Sequence, residues 1–160
     1  MKWILFAMFG MSLLLPAAAL SAPLRTLDHA SIRSFIAKQE RVWNARDFRR
    51  FYAVFAPNAV IVLVTTHGRQ EVARRIRTPA EDRRASEHFF ANAHGRIHET
   101  DRVEEITIAS DRRSARVRVK EVAQILRHGR KKVIGATTEQ DLELQEGRIV
   151  VRRLMEFDAE

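Results

Sequence analysis

The most constraining feature of this chain is a change in hydrophobic period near residue 96. Before it, Ile32, Phe35, Ile36, Gln39, Val42 and Trp43 recur three and four residues apart. After it, Ala115, Val117 and Val119 alternate with Arg116, Arg118 and Lys120. The first spacing lays one face of a helix on a core, and the second gives a strand with one dry face and one wet face. Helices followed by strands joined through short polar turns specify one α+β domain.

The spacing predicts a helix over residues 28–47, with Asp28 or Ser31 as its cap. Asn44-Ala45-Arg46-Asp47 reads as a turn whose Asp47 caps a short second helix carrying Phe48, Phe51, Tyr52 and Phe55, stopped by Pro57-Asn58. Residues 59–65 (AVIVLVT) are β-branched and apolar on both parities, as in a strand covered on both faces. Residues 70–77 (QEVARRIR) are expected to form a third helix with Glu71 placed to pair with Arg75, and residues 80–94 stay open between helix and irregular structure. Residues 96–108 should hold one or two short strands, and strands follow at 115–125 and 133–144. Glu146-Gly147 makes a tight hairpin turn into a last strand over 148–157. No repeat or internal linker interrupts this order.

Residues 1–21 read as an address. Met1-Lys2 is a short positive start, Trp3 to Leu15 is uncharged and apolar, and Pro16 precedes the small residues around Ala19 and Ser21. This is the layout of a cleavable signal peptide, and thirteen strongly apolar residues fall short of the roughly 20 that span a bilayer. The expectation is export to the periplasm or beyond, with residues 22–160 as a single domain. The absence of Cys excludes disulfides, thiolate catalysis and Cys-ligated metals. Cleavage would remove Lys2 alone, so the 28 Lys and Arg fall to 27 against 20 acids and leave a charge of +7.

The order of motifs resembles the nuclear transport factor 2-like superfamily, which includes ketosteroid isomerase, scytalone dehydratase and the SnoaL-like polyketide cyclases. The residues that carry the resemblance are Trp43-Asn44-Ala45-Arg46-Asp47-Phe48, Phe55-Ala56-Pro57-Asn58-Ala59-Val60, His67-Gly68-Arg69-Gln70-Glu71-Val72 and Leu144-Gln145-Glu146-Gly147-Arg148-Ile149-Val150. The resemblance implies N-terminal helices packed on a curved antiparallel sheet, forming a cone-shaped half-barrel around a pocket, often as a homodimer. Counted from the Asn44–Asp47 turn, the isomerase base would fall on Leu63, its oxyanion tyrosine on Gln39 and its protonated carboxyl near Gln140. A leucine cannot abstract a proton, so the isomerase chemistry does not carry over. The histidine pair and carboxylate of scytalone dehydratase have no counterpart.

Strand parity supplies candidates independently. Glu121 shares a face with Ala115, Val117, Val119, Ala123 and Ile125, and an acid on such a face needs a partner or a raised pKa. Arg153 shares a face with Ile149, Val151, Met155 and Phe157 on the last strand and is a candidate partner for Glu121. The alternative is a structural ion pair, or a bulge that turns Glu121 outward. Trp43, Tyr52, Phe55, Glu121, Arg153 and Phe157 are therefore candidate ligand-binding residues, and Glu121 and His88 candidate acid–base residues. His94 and His98 have helical ligand spacing, but Gly95 lies between them and no third ligand follows, so no metal is expected. No phosphate loop, dinucleotide fingerprint or nucleophile elbow occurs, and no cofactor is implied.

Three functions follow as expectations. The leading one is an exported module with an apolar cone pocket that binds a small apolar or amphiphilic ligand without isomerase activity. The second is a general acid–base enzyme of isomerase, dehydratase or cyclase type. The third is an envelope protein meeting an anionic surface through Arg116, Arg118 and Lys120. Nucleic acid is disfavoured: export removes the usual polyanions, and no aromatic residues accompany the basic stripe for stacking.

Overall fold

The computed structural model describes residues 23–67, 70–92, 96–127 and 130–159. The expected signal peptide and His94 lie outside the described residues. Helices α1 (His29–Asn44) and α2 (Phe48–Tyr52) lead into strands β1 (Phe55–His67) and β2 (Gln70–Arg77). Helix α3 (Pro79–Asn92) follows, then β3 (Arg96–Ile108), β4 (Ser114–Arg127), β5 (Arg130–Gln145) and β6 (Arg148–Ala159). The six strands form one open sheet in the order β2-β1-β6-β5-β4-β3. Every pairing is antiparallel except β1 with β6, so the helices pack on a mostly antiparallel sheet, as the resemblance implies.

Local chemistry explains most boundaries. Asp28 and Ser31 act together as a capping box at the start of α1, and the Asp47 side chain accepts from the Arg50 amide to cap α2. Thr78-Pro79-Ala80-Glu81 is a second box: the Glu81 carboxylate accepts from the Thr78 backbone amide, with Pro79 at the first helical position. That box settles the segment left open in the sequence as helix. Glu146 and Gly147 have φ of 48° and 75°, the paired left-handed turn that suits a two-residue hairpin. A side chain at Gly147 would also collide with Pro23.

The second helix stops at Tyr52, and Phe55, Pro57 and Asn58, expected on or just after it, lie in β1. Two further expectations change. Residues 70–77 form an edge strand rather than a helix. Val72 and Ile76 are exposed, so the segment buries no face that would hold a helix, and the open edge of β1 takes it up instead. A bulge at Val72 sets Glu71 against Arg74 rather than Arg75. The second change lies in β6, where the register slips so that Leu142 faces Val151 and Asp141 faces Arg153. Arg152 is the extra residue, and side-chain parity inverts beyond it.

The core lies between the sheet and the helices. Ile32 and Ile36 of α1 meet Phe48, Tyr52, Ile61, Val117, Val119, Leu142, Val151 and Leu154. Trp43, Phe48 and Phe90 form an aromatic cluster with centroids 5.2–5.5 Å apart, which ties α1, α2 and α3 together. Arg46 stacks over Phe90 at 3.9 Å.

Candidate functional site

The inner face of the sheet is apolar near the core and becomes acidic towards the end where β1, β4 and β6 finish. Parity carries Val117 and Val119 on to Glu121, with no bulge in β4 against β5. Across the β3–β4 ladder Asp101 lies opposite Glu121, and Glu99 lies opposite Ala123 on the same face. Carboxylate oxygens of Glu99, Asp101 and Glu121 all lie within 4.8 Å of one another. The bulge in β6 brings Glu156 to this face opposite Thr138.

The Glu121 carboxyl and the Glu99 backbone are held by hydrogen bonds, whereas the buried Asp101 Oδ1 has no hydrogen-bond partner. Thr138 Oγ1 donates to Glu121 Oε1 at 2.8 Å. Asn44, at the end of α1, pairs its side-chain amide with both backbone groups of Glu99 at 2.8 Å. Two residues on, the Arg46 guanidinium donates to the Ile97 carbonyl. The turn therefore fastens α1 onto the strand that carries two of the three carboxyls.

These groups cannot all be charged. Burial, with the neighbouring charges of Glu99, Glu156 and Asp101, pushes the Glu121 carboxyl well above the ordinary range, and the Thr138 bond only partly opposes this. Burial and the Asp101 and Glu156 charges raise Glu99 to about 8, with weaker opposition from Trp43 and Arg46. Burial and Glu40 raise Asp101 to about 7. The buried Trp43 Nε1–H makes no hydrogen bond of its own, yet lies near enough to favour the charged form of Glu99. Oxygen donors at this spacing suit either shared protons or a hard cation, and a bound cation would keep the carboxyls charged. Near pH 7 these shifts leave Asp101 as the most readily ionised member, with Glu99 and Glu121 holding protons.

Two amides add polar atoms to the interior. Gln39 on α1 is 5% exposed with neither amide atom hydrogen-bonded, and Gln140 on β5 is 5% exposed with an unpaired Oε1. Leu63 stands on the inner face of β1 beside Glu156.

The other candidates go elsewhere. Arg153 faces away from Glu121 and pairs with Asp141 at 2.8 Å, because the Arg152 bulge inverts parity; the expected Glu121–Arg153 pair does not form. Phe157 goes to the outer face with it. Tyr52 is buried, but its hydroxyl donates to Asp82 Oδ2 at 2.7 Å and meets Ser86 at 3.0 Å, so it locks α2 to α3. Phe55 is core and Trp43 is half-buried beside Glu99. His88 is exposed on α3 against Asn92, and neither it nor His98 joins the carboxyl group. On the outer face Arg116 pairs with Asp141 at 2.8 Å and Arg118 with Glu139 at 2.7 Å, along a groove of about 640 Å³. Cross-strand acids therefore answer two of the three cations in the basic stripe.

The sequence reading found Glu121 but missed Glu99, Asp101, Thr138 and Glu156. In β3, Ile97, Glu99, Asp101 and Val103 share one parity, which was the available signal. Glu156 had none, because a bulge hides its face.

The SnoaL-like domain family model matches residues 24–155. The chain belongs to that family. A search of curated proteins finds no match. Solved structures with the same fold include an NTF-2 like protein of unknown function from Shewanella oneidensis, 17% identical with a TM-score of 0.63, covering 81% of this chain and 98% of the other. A ketosteroid isomerase-like protein from Erwinia carotovora atroseptica is 14% identical, with a TM-score of 0.59 and coverage of 81% and 94%. A Catenulispora acidiphila protein solved in complex with S-DNPA is 13% identical, with a TM-score of 0.60 and coverage of 81% and 91%. At these identities the likeness establishes the SnoaL-like cone, and the chemistry rests on this chain's own residues.

Proposed function

We propose that this SnoaL-like protein is a general acid–base enzyme acting on a small substrate with an apolar body, exported after loss of residues 1–21. The observation that carries the reading is the trio of Glu121, Asp101 and Glu99 on one inner face, with carboxylate oxygens within 4.8 Å of one another; burial and neighbouring charges raise all three above the ordinary carboxyl range. Asp101, the most readily ionised, takes a proton from a carbon beside a carbonyl, and the C–H electron pair becomes the enol double bond. Glu121, protonated, gives its proton to the carbonyl oxygen as the π pair moves there. Return of the proton to another carbon isomerises the substrate, and loss of a β-hydroxyl as water dehydrates it. Leu63 at the position expected for an isomerase base argues for this different carboxyl set rather than the ketosteroid arrangement.

The experiment is hydrogen–deuterium exchange, followed by proton NMR, at the α-carbons of a panel of small cyclic ketones and enones. The wild-type protein should accelerate exchange over protein-free buffer, and Glu121→Gln or Asp101→Asn should reduce it by roughly 100-fold or more. Ligands that bind without any accelerated exchange would leave a binding module in place of an enzyme. Abolition by EDTA with rescue by Mg²⁺ or Ca²⁺ would reassign the carboxyls as ligands.

A further inference from the structure

Three strands outrun the rest of the sheet. β6 ends at Ala159, and its ladder with β5 begins where Ala136 faces Asp158. Residues 131–135 of β5 pair with β4 on one side and, among the described residues, have no strand on the other. Together with the ends of β3 and β4 they make an arm projecting from the open end of the cone.

The arm is apolar on both faces where it meets solvent. Leu126 is 47% exposed, Val133 57% and Ile134 38%. In the β4–β5 register Leu126 faces Lys131, Ile125 faces Lys132 and Ala123 faces Ile134. Leu126, Val133 and Lys131 therefore share one face, and Ile134 and Lys132 the other. Each face of one tip combines exposed aliphatic surface with an exposed lysine. An open strand edge usually invites a second strand, but two lysines there would bring like charges together and oppose a second copy of this chain. The same pairing of aliphatic and ammonium groups suits a surface with an apolar layer beneath a layer of anions. The excess charge of +8 points the same way. No helix among the described residues is long and apolar enough to cross a membrane.

We propose that this arm docks on an anionic lipid bilayer, with Leu126, Val133 and Ile134 entering the interface and Lys131 and Lys132 meeting headgroup phosphates. The contact moves from the ion-paired stripe of Arg116 and Arg118 to the tip of β4 and β5, and does not depend on the acid–base chemistry.

The test is co-sedimentation of the purified protein with vesicles of pure phosphatidylcholine and of phosphatidylcholine containing 30% phosphatidylglycerol, at low and high salt. Binding should require the anionic lipid and weaken with salt. Lys131→Ala with Lys132→Ala should weaken it about 30-fold. Leu126→Thr with Val133→Thr, which keeps strand propensity, should weaken it roughly tenfold or more. Arg116→Ser with Arg118→Ser should change it by less than about twofold, and thermal melts check that each variant folds. Equal binding to both vesicles, or binding to neither, overturns the proposal. So does a dimer, seen by light scattering, that the arm variants dissolve while vesicle binding is unchanged.

Discussion

The Asn44 side-chain amide and the Glu99 backbone exchange two hydrogen bonds of 2.8 Å, so the last residue of α1 copies a strand neighbour and fixes the position of an acid on β3. Asn44 is thus a positioning residue for the carboxyl trio. Asn44→Ala removes both bonds and leaves a half-buried amide and carbonyl unanswered, at a cost of about 2–3 kcal/mol. Urea denaturation would show the loss of stability. Exchange activity should fall too, and an unchanged midpoint would mean that α1 is held by packing alone.

Stability should fall as pH rises. An unfolded Asp or Glu titrates near pH 4, whereas in the folded chain Asp101 sits at about 7, Glu99 at about 8 and Glu121 well above its ordinary range. Between those limits the native state holds protons that the unfolded chain has released, so stability declines with pH. The contribution is complete below about pH 4 and is lost through pH 7 and 8. Partial exposure screens it to about 1–2 kcal/mol for each of Asp101 and Glu99. Denaturation midpoints should therefore drop between pH 5 and pH 8.5. Asp101→Asn and Glu121→Gln should flatten the profile, and a flat wild-type profile would show that the carboxyls are solvated.

Tyr52→Phe separates a structural hydroxyl from a ligand-orienting one. The Tyr52 hydroxyl bonds Asp82 and Ser86, and Asp82 also receives Arg77 at 2.8 Å. Its removal should cost about 1–2 kcal/mol by thermal or urea unfolding and leave exchange kinetics unchanged. A large fall in exchange with intact stability would return Tyr52 to the pocket.

What the sequence made legible followed the regularity of its strands. The alternation at Val117 and Val119 placed Glu121 on the inner face, because β4 runs without a bulge against β5. The same counting failed on β6, where the extra residue Arg152 inverted everything after it and exchanged Arg153 and Phe157 for Leu154 and Glu156. Bulges are set by partner strands and leave no mark in period-two counting. The edge strand β2 was missed for a related reason: an exposed segment takes its conformation from the neighbour that needs an edge covered, not from its own pattern. Capping boxes at Asp28 and Thr78 are local and fully encoded, and the Thr78 box is the sequence signal for the start of α3.

Gln39→Leu should stabilise the protein while impairing it. Gln39 packs on the sheet-facing side of α1 with neither amide atom bonded, and Gln140 leaves its Oε1 unpaired. A buried amide without partners costs free energy that an aliphatic side chain of similar size does not. The substitution should raise stability by about 1–2 kcal/mol, and Gln140→Leu should act in the same direction but less, since one atom rather than two is orphaned. If these amides are kept to meet polar groups of a ligand, exchange of the best panel substrate should fall tenfold or more in the stabilised variants, mainly through a higher KM. A destabilised Gln39→Leu would show instead that the amide is satisfied through buried water. Only a gain in stability joined to a loss of function identifies Gln39 as part of the site, because a purely structural residue would not move the two in opposite directions.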